Sequence, residues 1–320
     1  MSCSIRRPMI KDAEEVVSLS REIADRYHVE NADDWVKACE HQDVYKRYFV
    51  AVHDQTPGII GYACVRPDIP RQPGLGKYRL LLGVKPEWRN KGVGHKLLEA
   101  ISHELHGMQA AAVRVRLAES KDIGFFTKRG FDEYERMLRL QADIAQCDVS
   151  GLSSLLDEQA SKGIVISTLE AELKYAPDCF RKLYEFEQEL FTIWPTIDPV
   201  VPMSYEAFRD QLNRLQDVHD GYFIAKDGAA YIGCSYVMRK DSEPYGLVQG
   251  LTGVLRRYQR RGIATALKYC TMQYARQHGF HSIETASLSH NEPMLAVQRK
   301  AGFTLMEAEV RLEKRLISSE

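Results

Sequence analysis

Leu80-Leu-Leu82-Gly83-Val84 runs through Lys85-Pro-Glu-Trp88 into Arg89-Asn90-Lys91-Gly92-Val93-Gly94, and His95-Lys-Leu-Leu-Glu-Ala100 follows. An apolar strand-like run thus passes through a basic, glycine-bearing turn into residues whose apolar positions, Leu97, Leu98, Ile101 and Leu105, recur with helical spacing. The plan returns further along as Leu251-Thr252-Gly253-Val254, Leu-Arg-Arg-Tyr258, Gln259-Arg260-Arg261-Gly262-Ile263-Ala264 and Thr265-Ala-Leu-Lys-Tyr-Cys270. Gly83 and Gly253, Trp88 and Tyr258, and Gly92 and Gly262 are each 170 positions apart. Two flanking landmarks repeat at 172: Gly61 with Gly233, and Gly130-Phe131 with Gly302-Phe303. A period this long is no solenoid repeat. It marks two whole domains.

The turn has its own chemistry. A loop that enters a helix presents first-turn N–H groups with no partner inside the helix, and the helix dipole adds positive potential there. Glycine at 92 and 262, and small residues at 94 and 264, let backbone approach a phosphate closely. Arg89, Lys91, Arg260 and Arg261 add charge. No Gly-Lys-Ser/Thr follows, and the glycines do not fit Gly-x-Gly-x-x-Gly directly after the strand, so neither a Walker A loop nor a dinucleotide fingerprint is present. The basic run 256–261 is too short and local for a nucleic-acid surface.

Strand, Gly-Val, an aromatic, Arg/Gln-x-x-Gly-x-Gly/Ala, helix, and then a later strand and helix ending in Gly-Phe resembles the GCN5-related N-acetyltransferases, and the tandem arrangement is similar to that of two-domain mycothiol-synthase-like enzymes. The resemblance implies an α+β fold of two GNAT-like domains, each a mixed, mostly antiparallel sheet flanked by helices. It implies acetyl-CoA as co-substrate, with the pyrophosphate on Arg89, Asn90, Lys91, Gly92, Val93, Gly94 and His95, or on Gln259, Arg260, Arg261, Gly262, Ile263, Ala264 and Thr265. The pantetheine would pair with backbone at Leu82, Gly83 and Val84, or at Thr252, Gly253 and Val254. Asn291 is expected to face the cofactor; unit one has Glu119 in its place.

The family's acid–base pattern is incomplete here. A Glu often stands six residues before the Val of Gly-Val, where this chain has Tyr78 and Val248. A Tyr often stands four residues before the Gly of Gly-Phe, where it has Phe126 and Gln298. Tyr78 and Glu187 are the catalytic candidates. Glu187 borders the apolar stripe Leu183, Phe186 and Leu190, ahead of Trp194 and Asp198 in the segment that lines the acceptor site in the resemblance. A solvated or ion-paired Glu187 and a packed Tyr78 are the plainer readings. The second domain is the expected catalyst, acting on a small-molecule primary amine by direct attack. An acyl-CoA-binding sensor or scaffold and a protein amine acetyltransferase are the alternatives.

Composition agrees with this frame. A length of 320 residues suits two cores of roughly 150, placed at 1–145 and 163–320 with a helical linker at 146–162. A formal net charge of −1 offers no general attraction to nucleic acid, no apolar run approaches the ~20 residues of a membrane span, and the N-terminal residues lack a signal core. Seven scattered cysteines without Cys-x-x-Cys spacing argue for reduced thiols and no metal. A cytoplasmic protein, monomeric or homodimeric, is expected.

Overall fold

The computed structural model describes residues 3–23, 46–68, 76–121, 123–198, 200–240 and 243–316. They form two compact units, Met1–Arg136 with Glu309–Glu320, and Met137–Ala308. Along the first half run β1 (Cys3–Arg6), α1 (Ala13–Ile23), β2 (Arg47–His53), β3 (Thr56–Pro67), β4 (Lys77–Val84), α2 (Val93–Gly107), β5 (Ala112–Ala118), α3 (Gly124–Thr127) and β6 (Asp132–Asp143). The second half has α4 (Leu152–Ser161), β7 (Ile164–Thr168), α5 (Leu169–Tyr175), α6 (Cys179–Phe191), α7 (Tyr205–Arg214), β8 (Tyr222–Asp227), β9 (Ala230–Lys240) and β10 (Glu243–Val254). It ends with α8 (Ile263–Gln277), β11 (Ser282–Leu288), α9 (Glu292–Lys300) and β12 (Thr304–Arg315).

Both units follow one plan. In the first, β1, β2, β3 and β4 pair antiparallel in that order, and β4 pairs parallel with β5. In the second, β7, β8, β9 and β10 do the same before β10 pairs parallel with β11. The closing strand is exchanged. Glu309–Arg315 of β12 lies antiparallel on β5, whereas Met137–Asp143 of β6 lies antiparallel on β11. The division at 145 and 163 expected from linear reading therefore differs from the compact units. Residues 137–145 and α4 join the second unit, and residues from Glu309 onward join the first. A local pattern tells that a strand exists but not which sheet it completes.

The parallel pair parts early in each unit. Pairing covers Lys77–Arg79 with Ala112–Arg114, and Gly246–Val248 with Ser282–Glu284. Beyond these residues β4 and β10 diverge from their parallel neighbours, leaving one backbone edge open to a ligand. The stripe expected on α2, Leu97, Leu98, Ile101 and Leu105, is buried against Val113 and Val115.

The units differ at one point. β3 and β4 pair without interruption from Gly61↔Val84 to Pro67↔Tyr78. On β10, Gln249↔Val237 is followed by Thr252↔Ser235, so one extra residue forms a β-bulge at Gly250-Leu251. Upstream of it the offset between units drops from 170 to 169, so Leu247, not Val248, occupies the place of Tyr78.

Leu312 is fully buried in the first unit's core. Leu312→Ala should cost about 2–5 kcal/mol, and hydrogen exchange should quicken first at the amides of Ala112–Ala118. Loosening confined to β10 and β11 instead would contradict the strand exchange.

Candidate active site

Gly92 and Gly262 open α2 and α8 in the left-handed region, at φ 83° and 85°, with no side chain capping either helix. An L-residue resists that conformation, so the backbone, rather than any lack of space, favours glycine here. Both glycines are exposed. A Cβ on Gly92 would meet nothing within 4 Å, and one on Gly262 would first meet the Gln159 side chain at 3.3 Å. The first-turn N–H groups of both helices therefore face an accessible mouth without the usual side-chain acceptor. Two residues before each glycine, Asn90 and Arg260 are also left-handed, at φ 58° and 61°. The same strained turn is built twice.

Bracing is shared as well. Arg89 Nε donates to the Val84 carbonyl at 3.2 Å, and Gln259 Nε2 to the Val254 carbonyl at 3.0 Å. Asn90, Lys91, Arg260 and Arg261 are exposed around the mouths. Val93 and Ile263 turn their side chains into the cores and offer backbone only. Gly94 stays small for a different reason from phosphate access, since a Cβ there would lie 3.3 Å from the Phe125 ring. Ala264 is half-buried and Thr265 buried, whereas His95 is exposed beside Glu99 at 3.3 Å.

On the strands, Leu82, Gly83 and Val84, and Thr252, Gly253 and Val254, lie in the diverging stretches. A Cβ on Gly253 would overlap Leu190 of α6. Thr252 Oγ1 lies 2.8 Å from Ser235 Oγ, within the fold. Asn291 caps α9, its Oδ1 accepting from Met294 N at 3.4 Å, while Glu119 ion-pairs with Arg136.

Glu187 is not solvated, and among the described residues it has no ion-pair partner. It is 8% exposed, and Tyr222 Oη donates to its Oε1 at 2.9 Å. Burial pushes its carboxyl from the ordinary 4.5 up to about 7, a rise that the Tyr222 hydrogen bond only partly offsets. Tyr222 stacks on Tyr236 with centroids 4.6 Å apart, and the Tyr236 ring fills the space a Cβ on Gly250 would need. Glu187, Tyr222 and Tyr236 thus lead to the bulge of β10, and Leu190, one turn beyond Glu187, rests on Gly253. Trp194 and Asp198 follow on the segment after α6, with Trp194 6.2 Å edge-on from Phe191.

Tyr78 sits elsewhere. It is 4% exposed in the α2-side core with Leu80, Val113 and Leu97. It stands six residues before Val84, roughly 20 Å along an extended strand. Tyr222 and Tyr236 carry no signal of their own in the sequence, where aromatic residues on strands read as packing; only the fold aligns them with Glu187.

Residues 45–133 match the acetyltransferase (GNAT) domain, and residues 180–303 match the acetyltransferase (GNAT) family. The chain belongs to the GNAT acetyltransferases. It carries two such domains in tandem, an N-acetyltransferase architecture for which acetyl-CoA is in general the co-substrate. Among solved structures, a GCN5-related N-acetyltransferase from Sphaerobacter thermophilus is similar at TM-score 0.68 and 16% identity, covering 98% of this chain and 95% of that one. A tandem GNAT protein from the clavulanic acid biosynthesis pathway is similar at TM-score 0.64 and 17% identity, with full coverage of both (100% and 100%). A glucosamine N-acetyltransferase region of a fungal multi-domain GH3 β-N-acetylglucosaminidase reaches TM-score 0.67 at 14% identity, over 98% of this chain and 38% of that protein. At these identities the likeness is one of fold. No curated protein matches the sequence.

Among the described residues no helix is long and apolar enough to cross a membrane, and no three His, Cys, Asp or Glu side chains are grouped to hold a metal ion. Six cysteines are free thiols; Cys39 lies outside the described residues.

Between pH 4.5 and about 7 the folded protein keeps the Glu187 proton that the unfolded chain releases. Stability should therefore fall as pH rises through that window, by up to about 3 kcal/mol. Glu187→Gln, which never ionises, should gain on wild type from pH 5 to pH 8 in denaturation midpoints. A gap that stays constant with pH would show an ordinary carboxyl.

Proposed function

We propose that the second unit transfers the acetyl group of acetyl-CoA to the primary amine of a small molecule by direct attack in a ternary complex. The observation that carries this reading is Glu187, a buried carboxyl at about 7 beside the bulged strand. An alkyl ammonium titrates near ~10, so at neutral pH something must take its proton before or as the nitrogen attacks. A carboxylate whose own proton affinity lies near the working pH suits that task, directly or through one water.

The remaining parts would serve the same step. The mouth of α8, with backbone N–H groups and the exposed Arg260 and Arg261, would hold the pyrophosphate. The open edge of β10 offers backbone N–H groups near Val254 to the thioester carbonyl, where they would stabilise the oxyanion as nitrogen adds. The bulge at Gly250-Leu251 turns backbone out of the ladder next to the Tyr236 ring. β4 has no such bulge, and Tyr78 is held in the core. On this reading the first unit supports the fold and the second performs chemistry. Trp194 and Asp198, after α6, suit a cationic acceptor through stacking and charge.

Release of CoA thiol across an amine panel tests the reaction. Glu187→Gln should lower kcat about 10²–10⁴-fold, and the residual rate should lose its rise through about pH 7. Undiminished turnover in that variant would remove Glu187 from the mechanism, and tight CoA binding with no turnover on any amine would favour a sensor.

A second comparison isolates the helix mouths. Gly262→Ala and Gly262→Glu share the backbone strain at φ 85°, so the further loss in Gly262→Glu reads the added negative charge. That loss should appear as a raised KM for acetyl-CoA, and the corresponding pair at Gly92 should leave it unmoved. An equal effect at Gly92 would make the first unit a working acetyl-CoA site.

A further inference from the structure

Because the two units share one frame, each position in the second has a counterpart in the first, and one region shows a consistent change. Where the first sheet has Leu80, Leu82, Val115 and Leu117, the second has Gln249, Thr252, Thr285 and Ser287. Where the first unit's helices have Leu98, Ile101 and Phe126, the second has Lys268, Thr271 and Gln298. The first set belongs to or borders one dry cluster. The second set is polar at every position and buried at every position. The frame accepts hydrocarbon there, so packing does not demand the polar residues.

Lys268 is the extreme member. It is 1% exposed and has no ion pair among the described residues, and its Nζ stands 5.1 Å from the Phe303 ring centroid. Lys268 lies three residues nearer the helix start than Thr271 and shares a face of α8 with it. Thr271, one turn further along α8, donates to Gln249 Oε1 at 3.2 Å, and Gln249 is the first residue of β10 past the last parallel pair. Gln298 Nε2 donates to Ser287 Oγ at 2.8 Å on the diverging half of β11, while its Oε1 is buried without a partner. Phe303, beside Lys268, closes onto the Gln298 carbonyl through its backbone N–H at 3.0 Å. Glu187 is on the other face of the sheet. Cys234 of β9 packs with α6, and the next residue, Ser235, turns toward Gln249 on the α8 side.

We propose that Lys268 is the acid that protonates the coenzyme A thiolate as it leaves, acting from the face of the sheet opposite Glu187. This rests on the second unit being the catalyst. The attacking nitrogen forms its bond to the thioester carbonyl carbon, and the C–S bond breaks with its electron pair on sulfur. A proton passes from Lys268 Nζ to that sulfur, while Glu187 has accepted one from the nitrogen. Lys268 then regains a proton from solvent and Glu187 returns one, which closes the balance.

Desolvation lowers the Lys268 ammonium to about 7, with no charged neighbour contributing. The carboxylate on β11, Glu284, is turned away to Lys240 and Arg139. Among the described residues of α8, α9, β10 and β11, none offers Lys268 a counter-ion. An ammonium so placed gives up its proton readily at neutral pH.

The experiment compares acetyl-CoA with its selenoester analogue, whose selenolate is a far weaker base than the thiolate and leaves without protonation. With wild type, kcat for acetyl-CoA should fall as pH rises beyond about 7, and this basic limb should be absent with the selenoester. Lys268→Met, in a place where Leu98 shows that an apolar chain packs, should lower kcat for acetyl-CoA about 10²-fold or more and spare the selenoester. Glu187→Gln should impair both donors alike. A basic limb that persists with the selenoester, or a Lys268→Met variant equally slow with both donors or fully active with acetyl-CoA, would overturn the assignment. Absence of turnover by wild type with either donor would instead count against the acetyltransfer reading itself.

Discussion

A helix that starts at a left-handed glycine, with no side chain to cap it, has first-turn N–H groups that must look outside the chain for acceptors. Gly92 and Gly262 create that condition twice, and both mouths are exposed. The strand before each mouth diverges from its parallel neighbour, so an extended ligand anchored at the helix can lie along an open backbone edge. An extended ligand with an anion at one end would fit such a mouth and the open strand edge before it.

The two units show how one frame can hold different interiors. Their strands pair in the same order, and their helices α2 and α8 have the same length and the same uncapped start. The second unit inserts one residue into β10, and the bulge shifts every upstream side chain by one place relative to the first. It sets a carboxyl in an apolar pocket on one face and replaces hydrocarbon with polar groups on the other. Burying a carboxyl and an unpaired ammonium both oppose folding. Groups with perturbed proton affinity cluster at functional sites; the first unit, with Leu98 and Phe126 in these places, avoids the cost.

The exchange of closing strands binds the two halves of the sequence into each other's folds. β12 finishes the sheet that the N-terminal residues begin, and β6 finishes the sheet of the C-terminal half. A strand's side-chain alternation encodes which face is buried and carries no address for the neighbour across its hydrogen-bonding edge. Linear reading places the whole strand with the first domain, whereas its residues from Met137 onward cluster with the second compact unit. Tyr78 and Val248 look equivalent by counting back from Gly-Val for a related reason. A bulge leaves no signature that a fixed offset can detect.

What the amino-acid order determined by itself is the duplication, the strand–turn–helix cradle at 89–95 and 259–265, and the helix stripes beneath it. These rest on neighbours within a few residues: glycine where φ turns positive, small residues near the helix start, apolar positions at helical spacing. The tertiary structure alone decided that Glu187 is buried rather than solvated, that Tyr222 and Tyr236 join it to the bulge, and that Lys268 has no counter-ion among the described residues. Proton affinity depends on what surrounds a group in space, and those surroundings come from segments as far apart as α6, β8 and β10, which only folding brings together.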